Sequence, residues 1–139
     1  MVDLFNYTRR TSSVAHVGEL DLGGNNPIRI QSMTTTNTND TEACVHQAEE
    51  IIKAGGELVR FTTQGSREAE NMKNINAGIR ADGYNTPLVA DIHFNPNVAD
   101  VAALYCEKVR INPGNYVDPA RKFIKQEYTD EEYAHELQK

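Results

Sequence analysis

Short apolar runs alternate with longer stretches of helical periodicity along most of this chain. Val14 to Val17 and Leu20 to Leu22 are split by Gly18 and closed by Gly23-Gly24-Asn25-Asn26, the pattern of a small hairpin. Pro27 opens Ile28-Arg29-Ile30, a candidate strand, and Gln31 through Asp40 reads as polar loop ending in good helix N-cap residues. From Thr41 to Ala54, Ala43, Cys44, Ala48, Ile51 and Ile52 recur at helical spacing, and Gly55-Gly56 stands where a helix end favours a left-handed residue. Leu58-Val59-Arg60-Phe61 is short and β-prone. A second helix is predicted after Ser66, through Ala69, Met72, Ile75 and Ile79, ending at Asp82-Gly83. Pro87 to Ile92 is nearly continuously apolar, as in strands buried in a parallel sheet. A short helix from Val98 to Tyr105 leads to the strand Lys108-Val109-Arg110-Ile111. Thr129-x-x-Glu132 is a capping box opening a last, highly charged helix.

Strand starts near residues 28, 58, 88 and 108, with helices between them, predict parallel crossovers and an α/β fold. Four such units suit either the first half of a (β/α)8 TIM barrel, whose full circuit takes about 250 residues, or a small open sheet. The 139 residues admit one domain, 1–139, and do not close a barrel. Four parallel strands leave two open edges, so pairing of those edges in a homodimer, or rearrangement of the terminal segments, is expected.

Fourteen Lys and Arg against twenty Asp and Glu give a net charge of −6, which argues against a nucleic-acid partner that must be held by a basic face. No apolar run approaches the ~20 residues of a membrane span, and Met1 to Phe5 lack the basic and apolar regions of a secretory signal. Cys44 and Cys106 are isolated from one another and are expected on helix faces as small reduced core residues. A soluble, cytoplasmic domain is the expectation.

The segments just past the strands carry the chemistry. The apolar cores give way to Gln31-Ser32-Met33-Thr34, to Arg60-Phe61-Thr62-Thr63-Gln64, to Asp91-Ile92-His93-Phe94-Asn95, and to Arg110-Ile111-Asn112-Pro113-Gly114-Asn115. Ligands of parallel α/β folds bind beyond the carboxyl ends of the strands. Arg60 and Arg110 interrupt otherwise apolar strands, so each meets an anion or emerges at a wet mouth. Two guanidinium forks converging there suit a phosphate or diphosphate. The alternative is an internal ion pair of either arginine with Asp91. Asp91 and His93, two apart, share one strand face. They read as an acid–base pair touching substrate hydroxyls, or as a buried hydrogen bond bracing the loop. A metal site there is poorly supported, because the neighbouring rims offer Arg, Gln and Asn. Asn112-Pro113-Gly114-Asn115 is a turn whose amides and Asn side chains would line a phosphate pocket, or is only a turn. His16, His46 and His135 are expected to be structural or at the surface.

Taken together, Pro27 to Thr34, Glu57 to Arg60, Pro87 to Phe94 and Val109 to Asn115 resemble the amino-terminal part of the 4-hydroxy-3-methylbut-2-en-1-yl diphosphate synthase family, over roughly residues 8 to 125. Thr62-Thr63-Gln64-Gly65 is similar to that family's longer branch. The resemblance implies a (β/α)8 barrel whose mouth holds the two phosphates of 2-C-methyl-D-erythritol 2,4-cyclodiphosphate. It further implies a separate domain bearing a 4Fe-4S cluster on three Cys and one Glu, and ferredoxin or flavodoxin as the electron donor. Carried over by motif, Arg60 and Arg110 would hold phosphate oxygens, with Asn115 alongside; Asn112 joins the candidate substrate-binding residues from the reading of the turn. Asp91 and His93 would assist proton delivery, and Gln31, Ser32 and Met33 would line the first strand end. No Pro-Cys-x-x-Cys segment is present, so the chain is expected to be a piece of a longer polypeptide, silent by itself. The other classes to weigh are a different phosphate-handling barrel, such as a pterin-binding synthase, and a non-catalytic metabolite-binding module.

Overall fold

The computed structural model describes residues 10–93, 95–116 and 129–136. The chain starts with the hairpin β1 (Val14–Val17) and β2 (Leu20–Gly23), paired antiparallel from Val14 with Gly23 to Val17 with Leu20. Gly18 makes the turn at φ +60°, a conformation that a side chain would strain. There follow β3 (Gln31–Met33), α1 (Thr41–Lys53), β4 (Leu58–Thr63), α2 (Ser66–Ala81), β5 (Leu88–Ile92), α3 (Pro96–Ala103) and β6 (Lys108–Arg110). A 3-10 turn spans Pro113–Asn115, and α4 covers Asp130–Glu136. Strands β3 to β6 form one parallel sheet in the order β3-β4-β5-β6, the alternating α/β arrangement of part of a TIM barrel preceded by a small hairpin.

Helix ends obey local chemistry. Asp40 caps α1, its carboxylate accepting from Ala43 N–H at 3.1 Å, and Gly55 ends the helix at φ +101°. Asn95 caps α3 through Asn97 N–H, with Pro96 at the first position, where its missing N–H costs nothing. That cap sets α3 two residues earlier than the predicted 98–105 span. Thr129 and Glu132 exchange the bonds of the predicted capping box.

The main core lies between the sheet and the helices. Val59 and Phe61 of β4 and Leu88 of β5 pack against Cys44 and Ala48 of α1 and Met72, Ile75 and Ile79 of α2. Ala90 and Ile92 pack against Ala69 and the α3 residues Val98, Ala99 and Ala102. On the opposite face, Leu58 and Val89 meet Val17, Leu20 and Leu22, so the hairpin covers the beginnings of the strands. The same end is braced twice by a glutamate just ahead of a strand. Glu57 pairs with Arg29 at 3.2 Å and accepts from Ile30 N–H; Glu107 pairs with Arg80 at 2.8 Å and accepts from Leu88 N–H.

Two local expectations are corrected. The first sheet strand is Gln31–Met33, not Pro27 to Ile30, and Ile28 and Ile30 stand 94% and 61% exposed. β3 is an edge strand, held by its ladder to β4 rather than by burial of its own side chains, so hydrophobicity did not mark it. Cys106 lies in the α3–β6 connection, not on a helix, because the helix closes at Ala103. The segment 117–128, ahead of the last helix, lies outside the described residues.

Candidate functional site

In a parallel sheet, residues in register share a face and successive residues alternate. Val59 and Phe61 face the helices, so Leu58, Arg60 and Thr62 face the other way. The register then aligns Met33, Arg60, Val89 and Lys108 in one row across four strands, and Thr62, Asp91 and Arg110 in the row nearer the carboxyl ends. The hairpin covers the lower part of this face; the charged groups occupy the part above it.

Asp91 is the centre of the arrangement. It is 1% exposed, and its carboxylate is bound from three sides. Arg60 Nη2 donates to Oδ2, Arg110 Nη1 donates to Oδ1 at 3.0 Å, and His93 Nε2 lies 3.2 Å from Oδ2. Burial works against the charge, but hydrogen bonds from Arg60 and then Arg110, together with the charges of Arg60 and His93, outweigh it and hold the Asp91 carboxyl below its ordinary range. Asp91 is therefore a carboxylate at neutral pH. The internal ion pair weighed from the sequence is present, and both arginines take part in it.

The two guanidiniums are not used up by this pairing. Each reaches Asp91 through a single nitrogen, and the Arg60 and Arg110 side chains remain 28% and 42% exposed. Arg60 Nε is buried without a hydrogen-bond partner among the described residues. A buried N–H left unpaired is costly, about 1–3 kcal/mol, and a ligand oxygen is one group that would satisfy it.

The other sequence-predicted residues divide. Met33 joins the row of Arg60, and Gln31 shares its face one step lower, beside Leu58. Ser32 is in register with Val59 and so falls on the helix side; the structure does not bring it to the charged rows. Asn112 Oδ1 accepts from Gly114 N–H at 3.1 Å, which commits that oxygen to the turn. Asn115 closes the same turn, and its backbone belongs to the 3-10 segment. A polar hollow of about 330 Å³ adjoins the charged rows through Thr62, lined also by Thr36, Asn37, Thr38, Gln64 and Glu68. A second hollow of about 350 Å³, between α2 and the α3–β6 connection, shares no residue with the cluster.

A family model described as the GcpE TIM-barrel domain matches residues 11–135. The chain belongs to the GcpE TIM-barrel domain family. Relatives of this GcpE barrel sequence include a protein of Phocaeicola vulgatus named 4-hydroxy-3-methylbut-2-en-1-yl diphosphate synthase (flavodoxin), 73% identical over 138 residues, 99% of this chain and 22% of the relative. Proteins of the same name from Parabacteroides distasonis and Chlorobaculum tepidum are 62% and 46% identical, over 97% and 98% of this chain and 22% and 18% of their own lengths. The chain thus spans about a fifth of the curated relatives it matches.

Reading single strand ends missed Lys108, which the register places in the row of Arg60. A signal was present. The pattern Glu-x-Val-Arg occurs twice, at 57–60 and 107–110, and both copies do the same work in this GcpE barrel segment: the Glu braces the strand start, the Val packs on the helix side, and the Arg reaches the charged face. As to metals, no group of three or more His, Cys, Asp or Glu gathers in a metal-holding arrangement among the described residues. An iron–sulfur cluster takes about four protein ligands, mostly Cys. The Cys106 thiol is pushed up to about 12 by burial and by Glu107, and burial raises Cys44 as well. With no third such ligand gathered beside them among the described residues, these two cysteines do not make up the ligand set of an iron–sulfur cluster. Among the described residues no helix is long and apolar enough to cross a membrane.

Proposed function

We propose that this chain is the amino-terminal part of the substrate-binding barrel, spanning 1–139, of a synthase that reductively converts 2-C-methyl-D-erythritol 2,4-cyclodiphosphate to 4-hydroxy-3-methylbut-2-enyl diphosphate. The observation that carries this reading is the convergence of Arg60, Arg110 and His93 on the single buried carboxylate of Asp91. Arg60 and Arg110 hold phosphate oxygens with the guanidinium nitrogens that Asp91 leaves unused. In this reading the turn that holds Asn112 and Asn115 approaches the ligand from the end of β6, and Gln31 and Met33 bound the site at β3, Ser32 lying on the helix side of that strand. Asp91, held ionised, orients the imidazole of His93 and fixes the two arginine heads. His93 then faces the substrate and assists delivery of the proton that leaves with a hydroxyl as water. Cys44 and Cys106 do not make up the ligand set of a cluster, so the 4Fe-4S group and the electrons belong to another part of the polypeptide, with flavodoxin as the donor. A cytoplasmic location and a homodimer complete the proposal.

The test is calorimetric titration of the cyclodiphosphate into the wild type and into R60A and R110A. Each substitution is expected to weaken binding by more than about tenfold, the loss of one charge-assisted contact. Equal heats for the three proteins would remove the anion site.

A further inference from the structure

We propose that Lys108 is a third anion-binding residue of the charged face, and that it makes the site prefer a diphosphate to a single phosphate. This rests on the reading of Arg60 and Arg110 as phosphate ligands and adds a residue and a selectivity to it. Lys108 and Arg110 are two apart on β6 and so share a face. The register continues from Arg60 through Val89 to Lys108, which puts the lysine one row below Asp91 and Arg110. Packing does not call for a charge there: Leu58, the matching residue of the first Glu-x-Val-Arg run, is buried against the hairpin.

The sheet rows also offer Lys108 no free carboxylate. Along the rows formed by Met33, Arg60, Val89, Lys108, Thr62, Asp91 and Arg110, Asp91 is the single carboxylate, and Arg60, Arg110 and His93 already engage it. Lys108 is half-buried and makes no ion pair among the described residues. The sheet rows therefore carry three cations against one carboxylate, and their fields add at an anion bound over them. The two arginine forks are enough for one phosphate. A second phosphate joined through a bridging oxygen extends the anion down the wall toward the next row, where a flexible ammonium meets it as a point charge.

The experiment titrates pyrophosphate and orthophosphate separately into the full polypeptide that carries this chain, comparing the wild type with K108M, K108R and R110A. K108M is expected to lose about tenfold in pyrophosphate affinity and less than about twofold for orthophosphate. K108R should keep both affinities, and R110A should lose both. If K108M binds pyrophosphate as the wild type does while R110A is weakened, Lys108 is only an edge-strand lysine and this proposal falls, with the arginine site left standing. If R110A matches the wild type, or neither anion binds the wild type, the arginine site falls and Lys108 with it. Should K108M lose its native circular dichroism, K108Q takes its place with the same two expectations.

Discussion

Replacing Asp91 by Asn keeps the shape of the side chain and removes its charge. The wild-type carboxylate is 1% exposed and receives Arg60, Arg110 and His93. Removing one partner of a fully buried ion pair costs about 3–5 kcal/mol. Here the arginine side chains keep 28% and 42% of their exposure, so water recovers part of the loss. A destabilisation of about 2 kcal/mol is the expected outcome, read as a lower urea midpoint at unchanged slope. The pH dependence gives a second, independent readout. The folded-state carboxyl titrates below its ordinary range, whereas in the unfolded chain an Asp titrates near ~3.9. The stabilisation from ionised Asp91 is therefore complete above about pH 5 and is lost as pH falls below about 4, through the folded value. The gap between wild type and D91N should be constant from neutral pH down to about pH 5 and narrow below that. Wild-type stability in D91N at pH 7, or a gap that does not narrow in acid, would refute the view that Asp91 is the ionised anchor of the two arginines.

Two more outcomes are set by the packing. Gly78 of α2 lies against α1, and a Cβ there would meet Val45 Cγ2 at 2.8 Å; G78A, although it gains up to about 1 kcal/mol of helix propensity, should lower the thermal midpoint, and a raised midpoint would show that the two helices have room. Cys106, its thiol held at about 12, should react with iodoacetamide at pH 8 more than about a hundredfold slower than free cysteine, and labelling of the folded protein at the free rate would contradict its burial.

Much of this molecule was legible in its sequence because local physics decided it. The turn at Gly18, the left-handed glycine after α1, the capping box at Thr129 and the helical spacing of Ala69, Met72, Ile75 and Ile79 all depend on residues within a few positions of one another. The period of strand and helix then implied a parallel sheet, and the polar strand ends marked the face on which chemistry would sit. Tertiary structure decided what depends on register. β3 is a strand because β4 offers it a ladder, although Gln31-Ser32-Met33 has no strand-like hydrophobicity and Ile28 and Ile30, which do, stand outside the sheet. Alternation within that ladder turned Ser32 away from Met33. The pairing of β5 with β6 set Asp91 beside Arg110 and brought Lys108 into the row of Arg60. A chain specifies its own periodicities, but which charge meets which is settled by the stagger between strands, and that stagger is a property of the sheet.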